Sequence, residues 1–171
     1  MKLTRKPSWI RRLVPWLALA AAVIVLDQAT KALVQAQLAP GQRINVVPFA
    51  DLVLVFNAGA AFSFLADASG WQRGFFIAVA LGAVALILYL LRRHPDERLF
   101  GAGLGLILGG AVGNLWDRVV LGHVVDFVLL HAAGYHFPAF NVADSAITVG
   151  AGLLILDGLW RREGKRAKGE G

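Results

Sequence analysis

The chain has no cysteine among its 171 residues. That absence removes disulfides, a thiolate nucleophile and any cysteine-ligated metal, and it leaves the redox compartment open. Charge is scarce too: only 16% of residues are Asp, Glu, Lys or Arg, well under the soluble-protein norm of about 25%. There is no glycine-rich phosphate loop, and the histidines His94, His123, His131 and His136 lack metal-ligand spacing, so neither nucleotide chemistry nor a metal centre is expected. What is abundant is apolar: 57% of residues are hydrophobic and the mean hydropathy is +0.62. This balance points to an integral membrane protein, and the length suits a single domain spanning 1–171.

The net charge of +6 is less informative than its placement. Lys2, Arg5, Lys6, Arg11 and Arg12 precede the first apolar run, Arg92, Arg93 and Arg98 fill a short middle connection, and Arg161, Arg162, Lys165, Arg166 and Lys168 follow the last run. Basic clusters that flank apolar runs fit the positive-inside rule better than nucleic-acid binding, and no nucleic-acid partner is expected.

Apolar runs of about 20 residues span a bilayer as helices. They fall at about 13–34, 74–91, 99–119 and 142–160. A cleavable leader is the alternative for the first run, since Ala18-Leu19-Ala20 mimics a cleavage site. Helical character continues past Asp27, however, and removing the run would break the charge topology. Residues 44–56 are rich in Val, Leu and Phe and interrupted by Pro48 and Asp51, which predicts an extended, β-prone segment at the membrane surface. A loop with Gly59 and Phe62 follows to Ser69. Residues 122–140, aromatic and amphipathic, are expected to lie at the surface or along the interface. Four spans put both termini and all three basic clusters on the cytoplasmic side, and the segments at 44–70 and 122–140 on the other. The expected fold is thus an all-α, four-span membrane protein with a small β-prone extracytoplasmic segment.

Gly101, Gly105, Gly109 and Gly113 recur every four residues in the third run, a spacing that lets helices approach closely in lipid. Gly110, Asn114 and Arg118 form a second such row, which places Asn114 and Arg118 on one face a turn apart. Ionisable groups at this depth cost roughly 2.5–3.5 kcal/mol each, so each requires a partner or a task. Arg118 cannot shed its charge and needs a carboxylate, carbonyls or a ligand; adjacent Asp117 points elsewhere. Asp27 and Lys31, acid before base at i and i+4, suit an intrahelical pair, a lysine that snorkels to headgroups, or a hold on substrate.

Asp126 follows the third run and Asp144 opens the fourth. Asp144 suits a helix cap. Yet two carboxylates at the same depth, from runs joined by one connection, can face each other. Such a pair shares one proton, leaving an acid and a base, which is equipment for activating water against a peptide carbonyl and protonating the leaving amine. Asn57, Asn114 and Asn141 are structural amides or groups that orient those carboxylates. A Ser–Lys dyad of Lys31 with Ser63 or Ser145 is the weaker alternative, because it leaves both acids idle.

The motifs resemble one family closely, prolipoprotein signal peptidase, the type II signal peptidase of bacterial inner membranes. The blocks are Asp27-Gln28-Ala29-Thr30-Lys31, Asn57-Ala58-Gly59-Ala60-Ala61-Phe62-Ser63, Gly113-Asn114-Leu115-Trp116-Asp117-Arg118, Val125-Asp126-Phe127 and Phe140-Asn141-Val142-Ala143-Asp144. Five blocks in order are specific, and they cover the chain outside its tails; Trp116 stands where an aliphatic residue is expected. The resemblance implies an aspartyl protease that removes the signal peptide just before a diacylglyceryl-modified cysteine. It implies Asp126 and Asp144 as catalytic pair. Asn57, Gly59, Asn114, Arg118 and Asn141 would bind substrate or orient the pair, with Asp27 and Lys31 in support. It also implies no metal or cofactor, prolipoproteins and membrane lipids as partners, inhibition by globomycin-type peptides, and a monomer whose site faces the outer leaflet. Two rivals use the same residues differently: a small proton-coupled transporter, which requires polar groups at both ends of the spans, and a structural membrane subunit, which leaves the buried charge without benefit.

Overall fold

The computed structural model describes residues 8–59 and 70–167, with side chains from 11 to 161 outside the break. Lys2, Arg5, Lys6, Phe62, Ser63, Ser69 and Lys168, on which expectations were placed, lie outside the described residues. The element order is α1 (Ser8–Gln37), β1 (Arg43–Val47), β2 (Ala50–Asn57), α2 (Trp71–Arg93), α3 (Arg98–Val120), β3 (Val124–Ala132), β4 (Tyr135–His136) and α4 (Val142–Ala167). All four helices are long and apolar enough to cross a membrane. The first is unbroken through Asp27 and Lys31.

Helix α3 is the hub on which the other three pack. Its glycines explain how. A Cβ on Gly101 would lie 2.6 Å from Trp16 Cε2, one on Gly109 2.6 Å from Val23 Cβ, and one on Gly113 2.7 Å from Asp27 Oδ2. The four-residue glycine row is therefore the seat for α1, whose Trp16, Ala20, Val23 and Asp27 follow the matching helical spacing. Gly103 meets Gly150 and Leu154, and Gly110 meets Ala143 and Ile147, so a neighbouring face of α3 receives α4. Leu104 and Leu108 join Ile87 and Leu91 of α2 in the main apolar cluster.

Residues 122–140, expected only as a surface or interfacial connection, form strands. They supply β3 and β4 to one antiparallel order, β1-β2-β3-β4. The sheet forms because 44–56 and 124–132 are both Val- and Leu-rich and each alone would leave a row of unpaired backbone groups. Pairing sets Val55 opposite Asp126 and Asn57 opposite Val124, past an irregularity between Leu52 and Val55. Asp51, buried at the sheet, is held by Arg43 and by Asn45 at 2.8 Å. Helix α3 ends where Leu121 and Gly122 N–H both return to the Asp117 carbonyl, with Gly122 at φ 87°, the left-handed turn that glycine takes without strain.

Candidate active site

The end of α3, the start of β3 and the start of α4 converge on one cleft of about 880 Å³. Asp126 and Asp144 both line it, with Asn57, Asn114 and Arg118. Asp126 Oδ1 accepts from Asn141 Nδ2 at 2.7 Å, and its Oδ2 accepts from Asn57 Nδ2 at 3.0 Å. Asn57 reaches across from β2 because a diagonal neighbour on the same sheet face is within side-chain range. Asp144 Oδ1 accepts from Asn114 Nδ2 at 2.8 Å. Asn141 and Asp144 also form a capping box: Asp144 N–H donates to Asn141 Oδ1 at 2.9 Å and Asn141 N–H to Asp144 Oδ2 at 3.3 Å. Asp144 is thus part of the helix start as well as the cleft wall.

Among the described residues no cation forms an ion pair with Asp126 or Asp144. Burial pushes the Asp126 carboxyl up to about 7. The Asn57 hydrogen bond opposes the rise, the nearby Asp144 charge adds to it, and the Asn141 bond and the Lys31 charge oppose it.

A second acidic pair lies behind this wall. Lys31 Nζ is 2.8 Å from Asp27 Oδ2 and 2.8 Å from Asp117 Oδ2, and it donates to Asn114 Oδ1 at 3.0 Å. Lys31 is 1% exposed and Asp27 0%, so the lysine turns inward rather than to headgroups, and its pairing extends beyond α1. Each acid also accepts a backbone N–H beside a cleft carboxylate, Asp27 on its other oxygen and Asp117 on the oxygen that Lys31 holds. Asp27 Oδ1 accepts from Ala143 N–H at 2.9 Å, and Asp117 Oδ2 from Val125 N–H at 3.2 Å. Gln28, not singled out from the sequence, donates to Asp117 Oδ1 at 2.9 Å. Lysine has no acceptor, so its bond fixes Asn114 Oδ1 toward α1 and leaves the Asn114 amide NH₂ for Asp144. Lys31 is fully engaged and Ser145 Oγ donates to Asn141 O at 2.9 Å, which leaves a Lys31–Ser145 dyad without support.

Arg118 pairs with no carboxylate among the described residues. Its guanidinium donates to Asn114 O at 3.3 Å and Gly59 O at 3.2 Å, its Nε is buried without a partner, and it lies over the Phe76 ring at 5.1 Å. Gly59 N–H in turn orients Asn57 through its Oδ1 at 3.0 Å. Trp116 is exposed, 57% accessible, and does not line the cleft. His123 stacks on Phe56, and His131 faces His136. Among the described residues no cluster of His, Asp and Glu is arranged for a metal.

Fold and cleft together define a multi-pass membrane protein with an acid-lined site at one end of its helix bundle. The family model for Signal peptidase (SPase) II matches residues 19–160. The chain is 54% identical over 154 residues to a lipoprotein signal peptidase of Burkholderia vietnamiensis (strain G4 / LMG 22486), covering 90% of this chain and 93% of that one. It is 53% identical over 153 residues to the lipoprotein signal peptidase of Janthinobacterium sp. (strain Marseille), covering 90% and 92%. Among solved structures, a bacterial membrane enzyme determined at 2.3 Å resolution superposes with a TM-score of 0.79 at 30% identity, over 88% of this chain and 91% of that one. This chain belongs to the signal peptidase II family.

Proposed function

We propose that the protein is an aspartic endopeptidase that removes signal peptides from prolipoproteins, cutting just before a diacylglyceryl-modified cysteine. The observation that carries the chemistry is that Asp126 and Asp144 face one cleft and are held by asparagine amides rather than by a cation. One carboxylate takes a proton from water, and the water oxygen attacks the scissile carbonyl. The other, protonated, donates its proton to the developing oxyanion; on collapse of the tetrahedral intermediate the first carboxyl gives the proton taken from water to the leaving amine as the C–N bond breaks, and the second regains its own from the intermediate's hydroxyl. No covalent enzyme intermediate forms. Arg118, which lines the cleft and pairs with no carboxylate among the described residues, supports the oxyanion or the substrate backbone.

The described members of the basic clusters, Arg11, Arg12, Arg92, Arg93, Arg98 and Arg161, lie at the helix ends away from the cleft, which supports cytoplasmic termini, an inner-membrane location and a site in the outer leaflet. Substrate then arrives by lateral diffusion, and lipid neighbours, globomycin-type peptides and a monomeric enzyme fit the same reading. The transporter alternative draws no support, because among the described residues the buried polar groups collect at one end and the stretches from Val79 to Leu91 and from Leu104 to Ile107 carry none. The test is cleavage of a purified lipopeptide by the wild type and by Asp126→Asn and Asp144→Asn; near-normal turnover by either variant overturns the pair.

A further inference from the structure

Helix α3 ends in Arg118, Val119 and Val120, and the last carbonyls of a helix have no helical donor of their own. Leu121 and Gly122 N–H both return to the Asp117 carbonyl, so among the described residues no backbone N–H reaches the carbonyls of Arg118 and Val119. A side chain from another helix takes both. Arg73, in the first turn of α2, donates Nε to Arg118 O at 2.9 Å and Nη2 to Val119 O at 2.8 Å. One edge of a rigid planar fork thus spans two adjacent carbonyls, at the helix end where the macrodipole favours a cation. Three residues on, along the same face of α2, the Phe76 ring lies under the Arg118 guanidinium, its centroid 5.1 Å from Cζ. Helix α2 therefore grips Arg118 at both ends, by its carbonyl and by its charged head. That head donates to Gly59 O at 3.2 Å; Gly59 N–H orients Asn57, and Asn57 donates to Asp126. Yet no described side chain of α2 lines the cleft itself.

We propose that Arg73 is a positioning residue for the reaction: it fixes the last turn of α3 and thereby aims the Arg118 guanidinium into the cleft. The inference rests on the reading of Arg118 as the group that supports the oxyanion or the substrate backbone. Arg118 leaves α3 in its final turn, and helix ends fray. Its own bond back to Asn114 O, at 3.3 Å, is a long one and a weak anchor. An unheld turn lets the guanidinium swing, and a misplacement of about 1 Å at a reacting site can cost about 10²-fold in rate. Asp117, on the same turn, is secured separately by Lys31. Loss of Arg73 therefore leaves the acid clamp in place and falls on Arg118.

The test is a double-mutant cycle on cleavage of a purified lipopeptide in detergent, with Arg73→Gln, Arg118→Lys and the two combined, each checked by its thermal midpoint. Arg73→Gln alone is expected to lose about tenfold or more. The loss falls in whichever of kcat and KM the Arg118→Lys variant changes, because both disturb one interaction. In the Arg118→Lys background the further loss is expected to stay under about threefold. A staple that only joins α2 to α3 would cost the same in both backgrounds, and that additivity overturns the proposal. So does wild-type turnover by Arg73→Gln or by Arg118→Lys, or a loss confined to the other kinetic parameter. Where Arg73→Gln fails to fold, Arg73→Lys, which keeps the charge but not the fork, carries the same cycle. Any of these failures beside normal cleavage by the wild type overturns the role of Arg73 alone, whereas absence of wild-type cleavage overturns the functional reading with it.

Discussion

Two pairs of buried acids occupy the same end of the bundle, and they are treated oppositely. Asp27 and Asp117 share the ammonium of Lys31, at 2.8 Å from each. Asp126 and Asp144 share the amides of Asn57, Asn114 and Asn141. An ammonium neutralises what it holds, so the first pair is locked as an ion triad that clamps backbone N–H groups. A neutral amide orients a carboxylate without cancelling its charge, so the second pair keeps its difficulty in ionising together and hence a proton to move. On the proposed mechanism, the identity of the partner, cation or amide, separates scaffold from chemistry.

The largest effect that would sharpen this contrast is on turnover. Asp126→Asn or Asp144→Asn is expected to lower kcat by about 10²–10⁴-fold or more, with a thermal midpoint in detergent close to wild type. Next is stability: Lys31→Met leaves two buried acids without their cation and is expected to cost about 3–5 kcal/mol in unfolding measurements. Unchanged stability there would break the comparison. A smaller effect concerns pH. The Asn57 bond favours charged Asp126, so Asn57→Ala raises the Asp126 pKa from about 7 and moves whichever limb of the kcat profile Asp126 sets, acidic as base or alkaline as acid, up by about one pH unit. The same group sets a stability trend. Its folded pKa lies above the ordinary 3.8, so its contribution is fully present below 3.8 and lost as pH rises through about 7. Asp126→Asn is expected to flatten that slope in a pH series of melting curves. The smallest effect is at the opposite end, where Arg161 pairs with Glu97 at 2.6 Å and Asp157 at 2.5 Å, half-exposed. Arg161→Ala is expected to cost no more than about 1 kcal/mol in the same assay.

The spans were legible because hydropathy is a local signal and charge is rare enough in this chain that each instance stands out. Asp126 and Asp144 were legible for the same reason, and the glycine row announced its helix contact through spacing alone. The sheet was only half legible. Residues 44–56 look extended on their own composition, but their partner at 124–132 is some 70 positions away in chain order, and its pairing with β2 leaves no local periodic mark. Asp117 stood in the same position: its cation sits on α1, and nothing near it in sequence points there. Gln28 carried no signal beyond its place next to Asp27.

The reciprocal bonds between Asn141 and Asp144 begin the last helix and hold one of the two proposed catalytic carboxylates with one set of atoms. A nascent chain whose final span has not yet seated therefore owns neither a finished helix start nor an assembled pair of acids. Hydrolytic power would switch on only upon completion of membrane insertion, which protects half-built copies and their neighbours from stray cutting.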